Sequence, residues 1–484
     1  MSAVGPLYRT TPCPMALVGW LALVLGAAVG CGPFGQDSAP PDDSDAWLDS
    51  PLVQDWSVEI SPEVPTVARV TWTSEIAASG TVRFGAPGLL ELSAPVTPEG
   101  TAHEVLLLGL LPDTDYALQV SVTAGDDGVQ SGELAFRTGS WPENPPTLEL
   151  SSHDPSAAAP GFTILPIQGE TGCWTTVLDS MARVVWAHPI PCQSHRARLA
   201  PDGSGIVSHT RSLPTEPVVI RHVSFFGEII DEIEVPDAHH DFTIVGEGSY
   251  AVLGYSLRSF EHGGETVDLV GDTIVEVDRQ GQTRVVWELF DHLEPDLEAL
   301  GSESDWAPGA WDWSHCNYLR YVPAEDAYYV TSRNLDAVFE VDRSTGAQLW
   351  TLSDAMGDFS TPADSTLVAL PHSVEVVEGG LLLFNQTGGG PTAGSGAVEI
   401  LLDESAGTAE RGWSYQSSDG LFVGYLGSAW PMHNGNTLVV FSESGQMDEV
   451  TPDGRVVYQA NSALGWTLSY AEHVESLYVE MPSR

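Results

Sequence analysis

Three histidines stand at matching places in a repeated stretch of strand-forming sequence. They are His240 in His-Asp-Phe-Thr-Ile-Val, His315 in His-Cys-Asn-Tyr-Leu and His372 in His-Ser-Val-Glu-Val-Val. His195, ahead of Arg-Ala-Arg-Leu, is a weaker fourth copy. Asn317 follows two residues after His315, and Arg333 eighteen residues after it. An imidazole titrates near neutral pH, so it can serve as nucleophile, as general acid or base, or as a metal ligand. A single histidine of this kind is most simply a structural group bonded within its own sheet; three in register point to a shared site. Three histidines would also suit zinc or copper. A guanidinium in the same cavity disfavours a cation and welcomes an oxyanion. The set therefore reads as a site that handles an oxyanion. His239 adjoins His240, and register with the other copies favours His240 as the residue facing the shared space.

For these side chains to meet, the chain must return to one axis several times. From about Thr147 to the end a pattern recurs in which a strand leads through an Asp or Gly turn to a strand ending in an aromatic. The aromatics are Trp186, Trp287, Trp350, Trp413 and Tyr458, and those at 287, 350 and 413 are spaced by 63 and 63 residues. Strand runs with short turns and almost no helical periodicity predict blades of antiparallel sheet. Five aromatic ends and one more unit around His195 to Val235 predict an all-β chain whose residues 147–484 form a six-bladed propeller. In such a fold equivalent blade positions converge on a central channel. The aromatics read as packing between blades.

Residues 53–139 show shorter alternating runs, such as Ala68–Thr73, Gly80–Phe84 and Tyr116–Val120, separated by turn residues. This predicts a seven-strand sandwich. Trp72 and the stretch Leu111-Pro112-Asp113-Thr114-Asp115-Tyr116 resemble a fibronectin type III module, which implies that the Tyr116 hydroxyl pins a corner of the chain. No cluster of catalytic residue types falls here, so a spacer or docking role is expected, with carbohydrate binding as the alternative. Ser140–Pro146 reads as the following linker.

Ahead of this, Met15 to Val29 form an apolar run ending Ala28-Val29-Gly30-Cys31. Small residues before a cysteine resemble a bacterial lipobox. Residues 1–31 are thus expected to be a lipoprotein signal with Cys31 lipidated, and the Pro-, Asp- and Ser-rich residues 32–52 a flexible tether. The expected location is outside the cytoplasm, on the outer membrane or cell surface, with membrane contact through the lipid alone. In such an oxidising compartment Cys173 and Cys192 could close a disulfide, leaving Cys316 odd and buried. The formal net charge is −49, from 67 acidic residues against 18 basic ones, all arginine. That charge would repel a phosphate backbone, so nucleic acid is not an expected partner. An anionic substrate would need its own local positive charge.

Trp313-Ser314-His315-Cys316-Asn317, Ser332-Arg333-Asn334-Leu335, Pro371-His372-Ser373 with Leu383-Phe384-Asn385, and His239-His240-Asp241-Phe242 together resemble the bacterial arylsulfate sulfotransferases that work without the nucleotide sulfate donor PAPS. The resemblance covers roughly residues 150 to 480. It implies a six-bladed propeller that moves a sulfuryl group from a phenolic sulfate ester to a phenolic acceptor through a sulfated histidine. By position, His372 takes the nucleophile's place, with His240, His315, Asn317 and Arg333 as the other catalytic residues. No nucleotide, metal or other cofactor is implied, and the sequence has no P-loop or GxGxxG-type site. Two departures are visible. Asn385-Gln386 stand where an Asp-Asn pair is implied, and Ser395–Glu399 lacks a basic residue before the glutamate. Two other readings compete: a non-catalytic binding or scaffold propeller on a lipoprotein stalk, and a quinone-dependent dehydrogenase suggested by Asp342–Trp350.

Overall fold

The computed structural model describes residues 47, 50–298, 300–362, 365–386 and 394–479. The signal and lipidation site at Cys31, and nearly all of the tether, lie outside the described residues.

Six antiparallel sheets follow one another along the chain and form the blades of a propeller. Blade two (Ala197–Leu199, Gly205–Thr210, Val218–Ser224, Ile229–Val235) and blade four (Cys316–Val322, Ala327–Ser332, Ala337–Asp342, Gln348–Leu352) are plain four-strand meanders. So is blade five (Pro371–Val377, Gly380–Asn385, Gly396–Asp403, Thr408–Gln416). In blade three (Ala238–Gly246, Ser249–His262, Glu265–Asp278, Thr283–Glu288) the central hairpin strands are each 14 residues long. A short strand, Trp311–Asp312, pairs in parallel with Leu269–Val270 at the far part of that hairpin.

Strands from both ends of the propeller stretch help to close the ring. Blade one takes Phe162–Gly169, Gly172–Asp179 and Val184–Pro189 from its own stretch of sequence, and its remaining strands, Trp466–Leu468 and Glu472–Val474, from the C-terminal part of the chain. Blade six (Ser428–Pro431, Thr437–Phe441, Gln446–Val450, Val456–Ser462) gains Leu148–His153 as a fifth strand.

The recurring aromatics pack between blades. Trp186, Trp287, Trp350 and Tyr458 are buried. Trp287 sits among Leu319, Tyr328 and Phe339 of blade four, and Trp350 among Val374, Leu381 and Leu383 of blade five. Each joins the fourth strand of one blade to the body of the next, which is why the repeat is visible in the sequence. Trp413 is only partly buried. Cys173 and Cys192 form a disulfide in blade one, and Cys316 is free and buried.

The N-terminal residues form seven antiparallel strands. The runs Ala68–Thr73 and Gly80–Phe84, read above as separate strands, are two halves of one 19-residue strand, Ala68–Ala86. The reason is local: Ser74-Glu75-Ile76-Ala77 contains no Gly, Pro, Asn or Asp to turn the chain. The first half pairs with Gln54–Ile60 and Gly100–Leu107, and the second with Leu89–Ser93 and Asp115–Ala124. Trp72 lies in this core, over Gly80, where a Cβ would come within 2.4 Å of its ring. The Tyr116 hydroxyl accepts from the Leu111 N–H at 2.9 Å. This unit is docked on the propeller. Val64, Val67 and Leu108 share a buried cluster with Val185, Trp186, Phe225 and Phe226. The Ser61 hydroxyl donates to Phe226 O, and that of Thr66 to Val185 O, both at 2.6 Å.

Candidate active site

The inner strand of each of blades two to five begins near a histidine. His195 lies just before Ala197–Leu199, His240 inside Ala238–Gly246, His315 just before Cys316–Val322 and His372 inside Pro371–Val377. The backbone is irregular at these places. Pairing register breaks between His239 and Phe242, between Cys316 and Tyr318, and between Pro371 and Ser373. Gln193, His240, His315, Leu370 and Leu426 all hold positive φ, at 76°, 49°, 49°, 47° and 56°. Such a conformation costs a non-glycine residue about 1–3 kcal/mol, and it re-aims the side chain next to it.

The four imidazoles, Arg333 and Gly424-Tyr425-Leu426 line one cavity of about 210 Å³. The ring centres of His240 and His315 are 4.7 Å apart, and those of His195 and His240 5.4 Å. His240, His315, His372 and Arg333, singled out in the sequence, all line this hollow, and the weaker copy, His195, lines it too. Asn317 is not among the lining residues. It is fully buried; its Oδ1 accepts from the Thr331 hydroxyl at 2.7 Å, and its Nδ2 has no partner among the described residues.

Hydrogen-bond partners settle where the ring protons sit. His372 Nδ1 lies 3.1 Å from Leu370 O, which can only accept, so Nδ1 carries the proton and Nε2 presents its lone pair. His195 is arranged alike, with Nδ1 3.1 Å from His240 O. Burial pushes His372 down to about 3, against the bond to the Leu370 carbonyl, and His315, Arg333 and His195 add to the downward effect. Burial also pushes His195 down to about 4, with Arg211 adding to the effect. His240 is held well below its ordinary range by burial and then by its neighbours His315, His239 and His195. At neutral pH these three rings are uncharged.

His239 is the inward partner of His240 and is not on the cavity. Its Nε2 lies 3.2 Å from Gly254 O and 2.9 Å from Asp272 Oδ1, and its ring stacks on Trp306 at 4.7 Å. Both Nε2 neighbours are acceptors, so Nε2 carries a proton, and the His239 Nδ1 lies 2.9 Å from the His240 Nδ1. Burial opposes charge on Asp272. His239, the Ser314 hydroxyl and the Cys316 N–H more than offset it, holding the carboxyl below its usual range.

Arg333 is half-buried, and no carboxylate pairs with it among the described residues. Its Nε donates to Gln386 Oε1 at 3.1 Å and one terminal nitrogen to Asn334 Oδ1 at 3.2 Å. Gln386, one of the two departures, thus orients the guanidinium without neutralising it. Asn385 is structural: it accepts from Ala369 N and donates to Leu367 O.

Three contributors escaped the sequence reading. Asp312 accepts from His315 Nδ1 at 2.5 Å. Trp306 packs against His239, His240 and His315. Tyr425 forms part of the wall. Only Asp312 left a signal, the Asp-x-x-His spacing before His315.

A family model described as arylsulfotransferase (ASST) matches residues 168–464, more than half of the chain. The chain belongs to the arylsulfotransferase family. Arylsulfotransferase activity in general is therefore its function, and the histidine cavity lies within the matched stretch. No curated protein matches this arylsulfotransferase. Solved structures similar to it include a protein of unknown function from Bacteroides caccae, with 14% identity over 65% of this chain and 98% of the other and a TM-score of 0.40. Others are a streptogramin B lyase (12%, covering 68% and 97%, TM-score 0.36) and apo AztD from Citrobacter koseri (11%, covering 82% and 98%, TM-score 0.31). With TM-scores this low, none of them bears on the function of the arylsulfotransferase.

Proposed function

We propose that this arylsulfotransferase moves a sulfuryl group from a phenolic sulfate ester to a phenolic acceptor, without PAPS, through a covalent adduct on His372. The observation that carries this reading is the pairing of His372, an uncharged imidazole with a bare Nε2, with Arg333, a guanidinium that meets no carboxylate among the described residues, on one cavity. The cavity suits a small arene carrying one anionic group. In the first step His372 Nε2 attacks sulfur as the S–O bond to the arene breaks. The proton stays on Nδ1, donated to the Leu370 carbonyl, so the sulfated ring is cationic and remains a good leaving group for the second step. Arg333 supplies fixed donors to the sulfuryl oxygens. Each such donor is worth about 2.7–4 kcal/mol where charge develops.

Further parts of the reading concern the rest of the chain. The N-terminal unit is a fibronectin type III-like module, supported by its seven strands, buried Trp72 and the Tyr116 corner. The protein is exported and anchored by lipid on Cys31, a reading supported by the Cys173–Cys192 disulfide, since such bonds persist in oxidising compartments.

The test is turnover. The purified protein should transfer sulfate from 4-nitrophenyl sulfate to a phenol with no nucleotide added. His372→Asn should lower the rate by about 10⁴-fold or more, the scale of losing a covalent nucleophile. Full activity in that variant, or none in the parent across a broad panel of donors and acceptors, would refute the proposal.

A further inference from the structure

The geometry points to Asp312 as the positioning residue that makes His315, among the four imidazoles on the cavity, the carrier of the proton exchanged with the phenol. This rests on the reading just given and deepens it.

Of the four rings on the cavity, His315 alone touches a carboxylate. Its Nδ1 is 2.5 Å from Asp312 Oδ2. The other three present Nδ1 to groups other than a carboxylate: Leu370 O for His372, His240 O for His195 and the His239 imidazole for His240. A carboxylate on one nitrogen fixes the tautomer and stabilises the imidazolium when the other nitrogen takes up a proton. Asp312 is itself held firmly. It is buried, its N–H donates to Ser302 O at 2.8 Å, and its own carbonyl accepts from Asn334 Nδ2 at 2.9 Å. It reaches the site on the short strand that pairs with the blade-three hairpin, so the insertion between blades three and four delivers it. Burial, and then its neighbours with His315 first, work against charge on His240, which leaves that ring ill-suited to the same task.

The step balances as follows. The N–S bond to His372 Nε2 forms and the S–O bond to the donor arene breaks. The proton on His315 Nε2 passes to the departing phenolate, giving a neutral phenol. After exchange of phenols, His315 Nε2 takes the acceptor's hydroxyl proton, the new S–O bond forms and the N–S bond breaks. Both rings return to their starting states.

The test uses two donors that differ in need for a proton. Phenyl sulfate releases a basic phenolate, of pKa about 10. 4-Nitrophenyl sulfate releases a weakly basic one that can leave unprotonated. Asp312→Asn should lower kcat by about 10²-fold on phenyl sulfate but by less than about fivefold on 4-nitrophenyl sulfate, with KM little changed. Asp312→Glu should recover part of the loss on phenyl sulfate. Equal losses on the two donors, or no loss on either, would overturn the inference. If Asp312→Asn does not fold, His315→Gln must show the same dependence on the donor, and a flat loss there overturns it equally. A parent protein that forms no adduct and turns over neither donor would instead sink the sulfuryl-transfer reading itself.

Discussion

Along the same inner strands that carry the histidines lies a second set of buried charges, and the two sets are satisfied in opposite ways. Arg196 is fully buried and meets Asp241 through two nitrogens, both at 3.1 Å, with its guanidinium 4.1 Å from the Tyr318 ring centre. Arg198 pairs with Glu472 at 2.8 Å and Arg320 with Glu375 at 3.1 Å. Glu375 also accepts from the Tyr318 hydroxyl at 2.6 Å. Every arginine in this set has a carboxylate from a different blade, so the pairs tie the ring together around its axis. At the histidine cavity, among the described residues, Arg333 meets only amides, and the rings of His195 and His372 present bare nitrogens. Unmet donors and acceptors are what a site keeps in reserve for a ligand. Paired charges mark the frame, and unpaired ones mark the chemistry.

The contrast can be broken at several points. Arg196→Met should cost about 3–5 kcal/mol of stability, because it strands a buried carboxylate. Denaturant unfolding measures this, and the folded fraction should keep most of its turnover. Arg333→Ala should do the reverse. Stability should change little, while kcat/KM for a sulfate ester falls by about 10²–10³-fold through loss of a charged donor. Gln386→Glu would give Arg333 the carboxylate partner that the frame arginines have. It should weaken donor turnover by about tenfold, because a paired guanidinium is less available to an anion. A rise in activity would show that Arg333 works best when paired, against the distinction drawn here.

A smaller effect comes from pH. His372 and His195 bind protons near 3 and 4 in the fold but near their ordinary 6.5 when unfolded. Between those limits the unfolded chain holds more protons, so stability falls as pH drops below about 6.5. Thermal melts from pH 7 to 5 should show this decline, and His372→Asn should flatten it.

The strands and the histidine ring were legible because both repeat. Alternating runs ending in Trp287 and Trp350 report one packing position over and over, and His240, His315 and His372 report another. What could not be read was pairing between distant stretches. Nothing in Leu148–His153 says that its partner is Val456–Ser462, and nothing in Trp466–Val474 says that it completes blade one. Alternation shows which side chains face inward but carries no address for the neighbouring strand. Asp312 and Trp306 were missed for the same reason. They lie in an insertion outside the repeat, and they reach the site only because Trp311–Asp312 joins the edge of a hairpin some forty residues earlier in the chain. Asn317 shows the converse. It fits the motif, yet its side chain turns to Thr331 and lies off the cavity's lining.

The central claim is that a sulfuryl group rests on one particular nitrogen. Brief incubation with 4-nitrophenyl sulfate, without acceptor, followed by peptide mass spectrometry tests it directly. The account predicts one added sulfuryl group on the peptide carrying His372, released when a phenol is added and missing from His372→Asn. An adduct on another residue, or steady turnover with no adduct under any quench, would contradict it.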